Sequence, residues 1–505
     1  MLSKVLSGAV SGINGYIVNV EVDISRGLPC FEIVGLPGSA VKESRERVRT
    51  AVKNSGCEFP PNRITVNLAP ADTKKEGPAF DLPIAVGVLS SLNRIDPEKF
   101  NDCLILGELS LDGGIRPVSG VLPIVYGALK EGIKKCVVPP DNADEAALVE
   151  GMDVYTFENI SQIIKGESPK RHVVDINEVF ENGRLSMGPD FSDVRGQGFV
   201  KRAMEIAAAG YHNILLSGHP GSGKTMLARR LPSILPDLTF EESIEITKIY
   251  SVSGLLHNKK CLITTRPFRS PHHTVSPAAL TGGGSVPKPG EISLSHYGVL
   301  FLDELPEFKR DALEVLRQPL EDGFVTISRV NSTATYPSDF MLVAAMNPCP
   351  CGYLGDRRCH CSAGDIAKYR KKISGPLMDR IDIYADTPDV SYGELSGASS
   401  EESSADIKKR VSAARDIQLE RYKNDGVLFN SRLSAPLIDK YCVLDSEAKE
   451  LLKAAFDSLG LSARSYHKIL KVSRTIADLE GSDVITSAHL SEALQYRGSS
   501  ADDIM

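Results

Sequence analysis

The stretch Gly218-His-Pro-Gly-Ser-Gly-Lys-Thr225 constrains this chain more than any other. It fits the pattern G-x-x-x-x-G-K-[ST], and its flanks supply the context that pattern needs. An apolar run at 214–216 precedes it, and the helix-forming TMLARRLPSIL follows. A glycine-rich turn between strand and helix lets backbone N–H groups close around phosphate oxygens, and the first helical turn adds a favourable dipole. The expected phosphate contacts are Gly218, Gly221, Ser222, Gly223 and Lys224, with the Thr225 hydroxyl as a ligand for Mg²⁺. ATP and Mg²⁺ are therefore the expected cofactors. The turn belongs to an α/β fold with a parallel sheet.

About eighty residues later, Gly298-Val-Leu-Phe-Leu-Asp303-Glu304 sets four apolar residues before two acids. A buried strand that ends in carboxylates is what the phosphate loop requires of a partner. Asp303 would hold Mg²⁺, and Glu304 would polarise the attacking water. The next apolar strand, FMLVAAMN, ends at Asn347, a polar group placed to position that water or the γ-phosphate.

At 505 residues the chain exceeds one core, and about three domains are expected. Residues 1–168 mix short β runs (GYIVNVEVDIS, CFEIVGL, RITVNLAP) with the helical SAVKESRERVRTAVKNSG, which reads as an α+β domain. The polar 169–190 reads as a linker, 191–395 as the α/β core, and 396–505 as an all-α domain opened by the Ser- and charge-rich SGASSEESSADIKK. No repeat of solenoid length occurs. No apolar run nears the ~18–20 residues of a membrane span, and the N-terminus reads as a strand and not as a signal peptide, so a cytoplasmic protein is the default expectation.

Four of the ten cysteines crowd into Cys349-Pro-Cys351 and Cys359-His-Cys361. Two C-x-C pairs across a Gly-containing loop suit a closed tetrahedral Zn²⁺ site that staples a loop too short for its own core. Free thiols, two reducible disulfides, or His360 in place of one cysteine remain alternatives.

With a net charge of −7, any nucleic-acid contact has to use a local patch. Residues 246–290 offer a candidate. They contain no Asp or Glu, although 65 acids in 505 residues would place roughly six there. Lys259, Lys260, Arg266 and Arg269 in this stretch are the expected phosphate contacts. The alternating FVTISRVNSTATYPSDF reads as a hairpin with Arg329 near a strand end, a further candidate for DNA contact.

DVRGQ at 193–197, RPFRSPHH at 266–273, LRQPLEDG at 316–323, MNPCPCG at 346–352 and SGPLMDRID at 374–382 resemble one family over essentially the whole chain. It is the ComM/YifB family, in the magnesium-chelatase-like branch of the AAA+ ATPases. The resemblance implies that Asn347 is the sensor-1 residue and that Arg380 acts as a finger on a neighbouring subunit's γ-phosphate. It makes Arg464, in LSARSYHKIL, the sensor-2 arginine; Lys468, one turn later, is the alternative. It further implies that the acid-free stretch is an insertion facing a ring pore, and that the Arg329 hairpin moves with nucleotide state. The expected partners are single-stranded or branched DNA, five further copies of the chain in a homohexamer, and recombination proteins.

The N-terminal segment resembles the proteolytic domain of Lon, whose Ser–Lys dyad sits on a G-P-S-A motif. Here the motif reads Gly77-Pro78-Ala79-Phe80, and Leu122 aligns with the lysine. An alanine cannot attack a carbonyl, so proteolysis is excluded. The expected function is an ATP-driven DNA motor, a helicase or branch-migration enzyme in natural transformation or recombination. The alternative is a chelatase-like or protein-remodelling ATPase.

Overall fold

The computed structural model describes residues 2–184, 188–256, 261–284, 287–329, 332–390 and 401–497. The N-terminal unit is one eight-stranded mixed sheet. Its strands are β1 (Leu2–Ser11), β2 (Asn14–Ser25), β3 (Cys30–Val34), β4 (Arg63–Ala69), β5 (Cys103–Ile105), β6 (Lys135–Val138), β7 (Asp153–Thr156) and β8 (Lys170–His172). They lie in the order β8-β7-β6-β5-β1-β2-β4-β3. Alternation along β2 turns Val18, Val20 and Val22 inward. Helix α1 (Ser39–Asn54) packs against α2 (Asp81–Ser91), which is apolar on all sides and buried along its whole length. The third helix, α3 (Val121–Lys130), begins beside the position aligned with the Lon lysine. Ala79 and Leu122 both lie in one apolar cluster.

The segment expected as a plain linker departs from that reading. Its Lys170–His172 pairs antiparallel with β7, and Ile176–Arg184 is helical. Charged residues suit this position because an edge strand has one unpaired flank facing water.

The second unit holds five parallel strands in one sheet. In chain order they are β9 (Ile214–Gly218), β10 (Phe268–Arg269), β11 (Val299–Leu302), β12 (Met341–Met346) and β13 (Ile383–Thr387). In space they run β10-β11-β12-β9-β13. The chain order reverses beside β9, and ligands of open parallel sheets bind at such a switch point, beyond the carboxyl ends of the strands. Helix α4 (Gly198–Gly210) precedes β9; α5 (Lys224–Ile234) and α6 (Phe240–Ser253) follow it. The expected hairpin forms as Phe324–Arg329 against Ser332–Pro337.

The C-terminal unit is helical, with Ser404–Tyr422, Ala435–Tyr441, Ser446–Ser458, Ala463–Leu479 and Ser487–Gln495. It shares a continuous apolar cluster with the core, which joins Val200 and Ala207 to Leu470 and Ile476. Arg474 is fully buried there beside Asp478, which also receives Arg421 and Asn430. Buried charges persist only with such pairing. Among the described residues, no helix is long and apolar enough to cross a membrane.

Candidate nucleotide site

Glycines at 221 and 223, with φ of +83° and +88°, let the loop after β9 turn tightly into α5. Lys224 opens that helix and folds back over the loop. Its ammonium donates to the carbonyls of Gly218 and His219, each at 2.7 Å, and lies 3.3 Å from Asn347 Oδ1. Burial lowers its pKa below the ordinary lysine value. The Thr225 hydroxyl donates to Asp303 Oδ2 at 2.6 Å. Lys224, Thr225, Asp303 and Asn347 thus meet at the carboxyl ends of the adjacent strands β9, β11 and β12. The hydroxyl and carboxylate form an oxygen donor pair of the kind Mg²⁺ prefers.

Glu304 follows Asp303 but faces elsewhere. Its backbone is left-handed, with φ of +53°, and its amide donates to Asp303 Oδ1 at 3.0 Å. Non-glycine residues in this region carry strain, which concentrates at functional sites. The turn separates the two neighbouring acids, and the Glu304 carboxylate lies 3.4 Å from His273 Nδ1 while staying more than half exposed.

Beside the loop opens a cavity of about 390 Å³, walled by residues 193–195, Gln197, His219–Gly223, Met226, Tyr353, Arg358 and Asp389. Gln197 Nε2 donates to Ser222 O at 2.7 Å and ties the first wall to the phosphate loop. His219 Nδ1 stands 2.9 Å from Asp389, which raises the imidazole pKa. His219, Gln197, Asp389, Tyr353 and Arg358 carry no individual signal in the sequence, and His273 is one of the histidines of the acid-free stretch. His219 sits in the phosphate loop, Gln197 in DVRGQ, His273 in RPFRSPHH, and Tyr353 and Arg358 in the cysteine loop, whereas Asp389 lies in no marked stretch.

Arg380 and Arg464 do not line this cavity. The Arg380 guanidinium donates to Pro376 O at 2.6 Å and pairs with Glu321, and its buried Nε has no partner. Arg464, in the first turn of its helix, is exposed and 3.2 Å from Asp379. Lys468 is turned inward and donates to Ile381 O at 2.7 Å.

The four clustered cysteines converge. Their sulfurs lie within 4.8 Å of one another, with the separations 349–351, 349–359 and 351–359 at 3.3, 3.9 and 3.7 Å. A disulfide needs about 2.05 Å, whereas four sulfurs at ~2.3 Å from one Zn²⁺ sit about 3.8 Å apart. The thiols are free and their arrangement fits a tetrahedral metal. The Tyr353 backbone amide draws the Cys351 thiol down to about 6, toward the thiolate a metal requires.

The acid-free stretch corrects an expectation. Arg266 is 7% exposed and donates to Pro236 O and Tyr297 O at 2.6 and 2.7 Å, with Glu242 at 3.3 Å. Arg269, on β10, forms a two-pronged pair with Glu291 at 2.6 and 2.7 Å. Burial withdraws Arg266 from a phosphate backbone, and Arg269, though partly exposed, is neutralised by its acid. The acids that neutralise them stand just outside the acid-free window, beyond the reach of a composition count. Lys248, also in the stretch, lies 3.6 Å over the ring of Tyr126 on α3. Leu262 and Cys261 pack into the N-terminal domain's apolar cluster, so the stretch folds back against that domain. Lys259 and Lys260 lie outside the described residues, as does the side chain of Arg329, whose backbone ends its hairpin strand.

Three family descriptions match the chain in succession. "Subunit ChlI of Mg-chelatase" matches residues 20–142, "Magnesium chelatase, subunit ChlI" 190–395, and "Magnesium chelatase, subunit ChlI C-terminal" 401–497. The chain is 44% identical to the YifB protein of Escherichia coli, across 98% of this chain and 97% of that one. It is 43% identical to the competence protein ComM of Haemophilus influenzae, across the same shares. A Lon protease of Trichlorobacter lovleyi matches 31% of this chain and 20% of its own length, at 22% identity. With full-length similarity at this level, and with the loop, acids and strand order described above, the chain belongs to the ComM/YifB family of magnesium-chelatase-like AAA+ ATPases.

Proposed function

We propose that this chain is an ATP-hydrolysing ring motor that acts on DNA, as a helicase or branch-migration enzyme. The observation that carries hydrolysis is the convergence of Lys224, Thr225, Asp303 and Asn347, with Glu304 next to Asp303 on a left-handed turn. Lys224 exchanges its two carbonyl partners for β- and γ-phosphate oxygens. Thr225 and Asp303 hold magnesium, which when bound neutralises charge building on those oxygens. Glu304 accepts the proton of the attacking water, and Asn347 orients that water. His273 holds the Glu304 carboxylate until that water is in place.

Arg380 acts in trans. It does not line its own cavity, and in this reading it exchanges Glu321 and Pro376 O for the γ-phosphate of the neighbouring copy in a homohexamer. A planar cation inserted across that interface neutralises transition-state charge. Arg464, exposed at its helix start, serves as sensor 2. Cys349, Cys351, Cys359 and Cys361 hold a structural zinc ion.

Support for DNA as the substrate comes from the near full-length similarity to a competence protein, since competence is the capacity to take up DNA. With Arg266 buried and Arg269 paired to Glu291, Lys259, Lys260 and Arg329 are the phosphate contacts in this reading. ATP turnover with and without single-stranded, forked and junction DNA tests it. Stimulation by any of the three is expected. A turnover indifferent to all three in the assembled ring would favour a protein substrate.

A further inference from the structure

The cysteine loop touches the phosphate loop directly. Gly352, between the cysteine pairs, has φ of +86°, and a Cβ there would lie 2.6 Å from the Pro220 ring. His219 Nε2 stands 3.4 Å from Leu354 O, and the His219 ring centroid is 5.8 Å from that of Tyr353. The Arg358 guanidinium lies 4.2 Å over the Tyr353 ring and is fixed by two bonds to Asp356, at 3.0 and 3.1 Å. Tyr353 and Arg358 line the 390 Å³ cavity together with Val194 and Met226.

We propose that the cysteine loop is part of the nucleotide site. Tyr353 and Arg358 close the base-and-ribose end of the cavity, and the metal bound by the four thiolates holds them there. This rests on the phosphate-loop reading above. The physical reason is preorganisation. The loop carries no helix or strand between Cys349 and Cys361, so its own sequence cannot fix the Tyr353 ring. Four thiolates on one ion fix both ends of the segment and remove the ordering cost from nucleotide binding. An aromatic ring beside Val194 and Met226 offers a purine a stacking face, and the stacked guanidinium keeps that ring in place.

The test is binding of a fluorescent ATP analogue with magnesium to the full chain as purified, with metal content measured by elemental analysis. Tyr353→Ala and Arg358→Ala are each expected to raise Kd about tenfold, the scale of one lost base stack, with metal content unchanged. Gly352→Ala is expected to weaken binding similarly by driving the loop off Pro220. Removing the metal with a chelator should reproduce the Tyr353→Ala value. Wild-type-like binding by both wall variants, while Lys224→Ala fails to bind, would overturn the proposal and leave the phosphate-loop reading standing. No binding by the wild type would overturn both. If chelation changes the metal content but not Kd, the metal's part falls and the two side chains alone form the wall. The single-residue variants spare every thiol, so they decide the matter even if the chelated protein unfolds.

Discussion

The Thr225 hydroxyl donates to Asp303 Oδ2 at 2.6 Å, although 78 residues separate the two. That bond joins the first turn of α5 to the end of β11 and marks where a divalent cation would sit. Thr225→Ala removes one ligand and leaves the Asp303 carboxylate without its donor. Magnesium-dependent nucleotide affinity should fall about tenfold, the scale of one charge-assisted hydrogen bond. Lys224→Ala should cost at least about 100-fold, because several such bonds are lost together. Titration with a fluorescent nucleotide, with and without magnesium, separates the two effects.

Arg380→Ala should lower hydrolysis and leave nucleotide affinity of an isolated subunit unchanged, because the guanidinium does not line its own cavity. Mixing this variant with Lys224→Ala protein should restore part of the activity, at interfaces that pair an intact loop with an intact arginine. Absence of recovery at every ratio, with subunit mixing confirmed, would remove the trans role.

One zinc ion per chain is expected in protein purified without added metal. Cys349→Ser/Cys361→Ser should abolish it and lower the melting temperature. A metal-free preparation with a wild-type melting temperature would contradict the assignment.

The buried arginine predicts a division of labour within residues 246–290. Arg266→Ala leaves the buried Glu242 with the Thr239 amide at 3.1 Å and Arg415 at 3.8 Å, and should destabilise the fold by about 3 kcal/mol, the cost of breaking a buried ion pair. Lys259→Ala/Lys260→Ala should leave stability unchanged. It should flatten the dependence of log affinity for single-stranded DNA on log salt by about 1.4 for the two contacts. Unfolding curves and salt titrations of both variants test the division. A lysine pair without effect on the salt slope would remove these residues from the DNA surface.

How far each feature could be read from sequence depends on whether its cause is local. The phosphate loop was legible because strand, glycine turn and helix succeed one another within a few residues, and the turn's conformation demands those glycines. The two acids after an apolar strand were legible for the same reason. The cysteine cluster was legible because its spacing brings the thiols together across one short loop. The burial of Arg266 and the pairing of Arg269 are not legible in the acid-free stretch because their neutralising partners, Glu242 and Glu291, bracket it. The strand at Lys170–His172 was hidden by its charge, which marks a solvated edge as readily as a linker. The pairing of His273 with Glu304, and of Tyr353 with the loop at His219, depends on how separate segments pack in three dimensions. No local pattern encodes those contacts.

ATP turnover by Glu304→Gln, measured beside its nucleotide affinity, tests the central claim most directly. The left-handed turn at Glu304 sets its carboxylate apart from the metal-binding pair, so its removal should spare binding and stop chemistry. The expected result is nucleotide affinity within about twofold of wild type, with turnover reduced by roughly 10² to 10⁴, the range of a lost general base. Turnover at the wild-type rate would contradict the account.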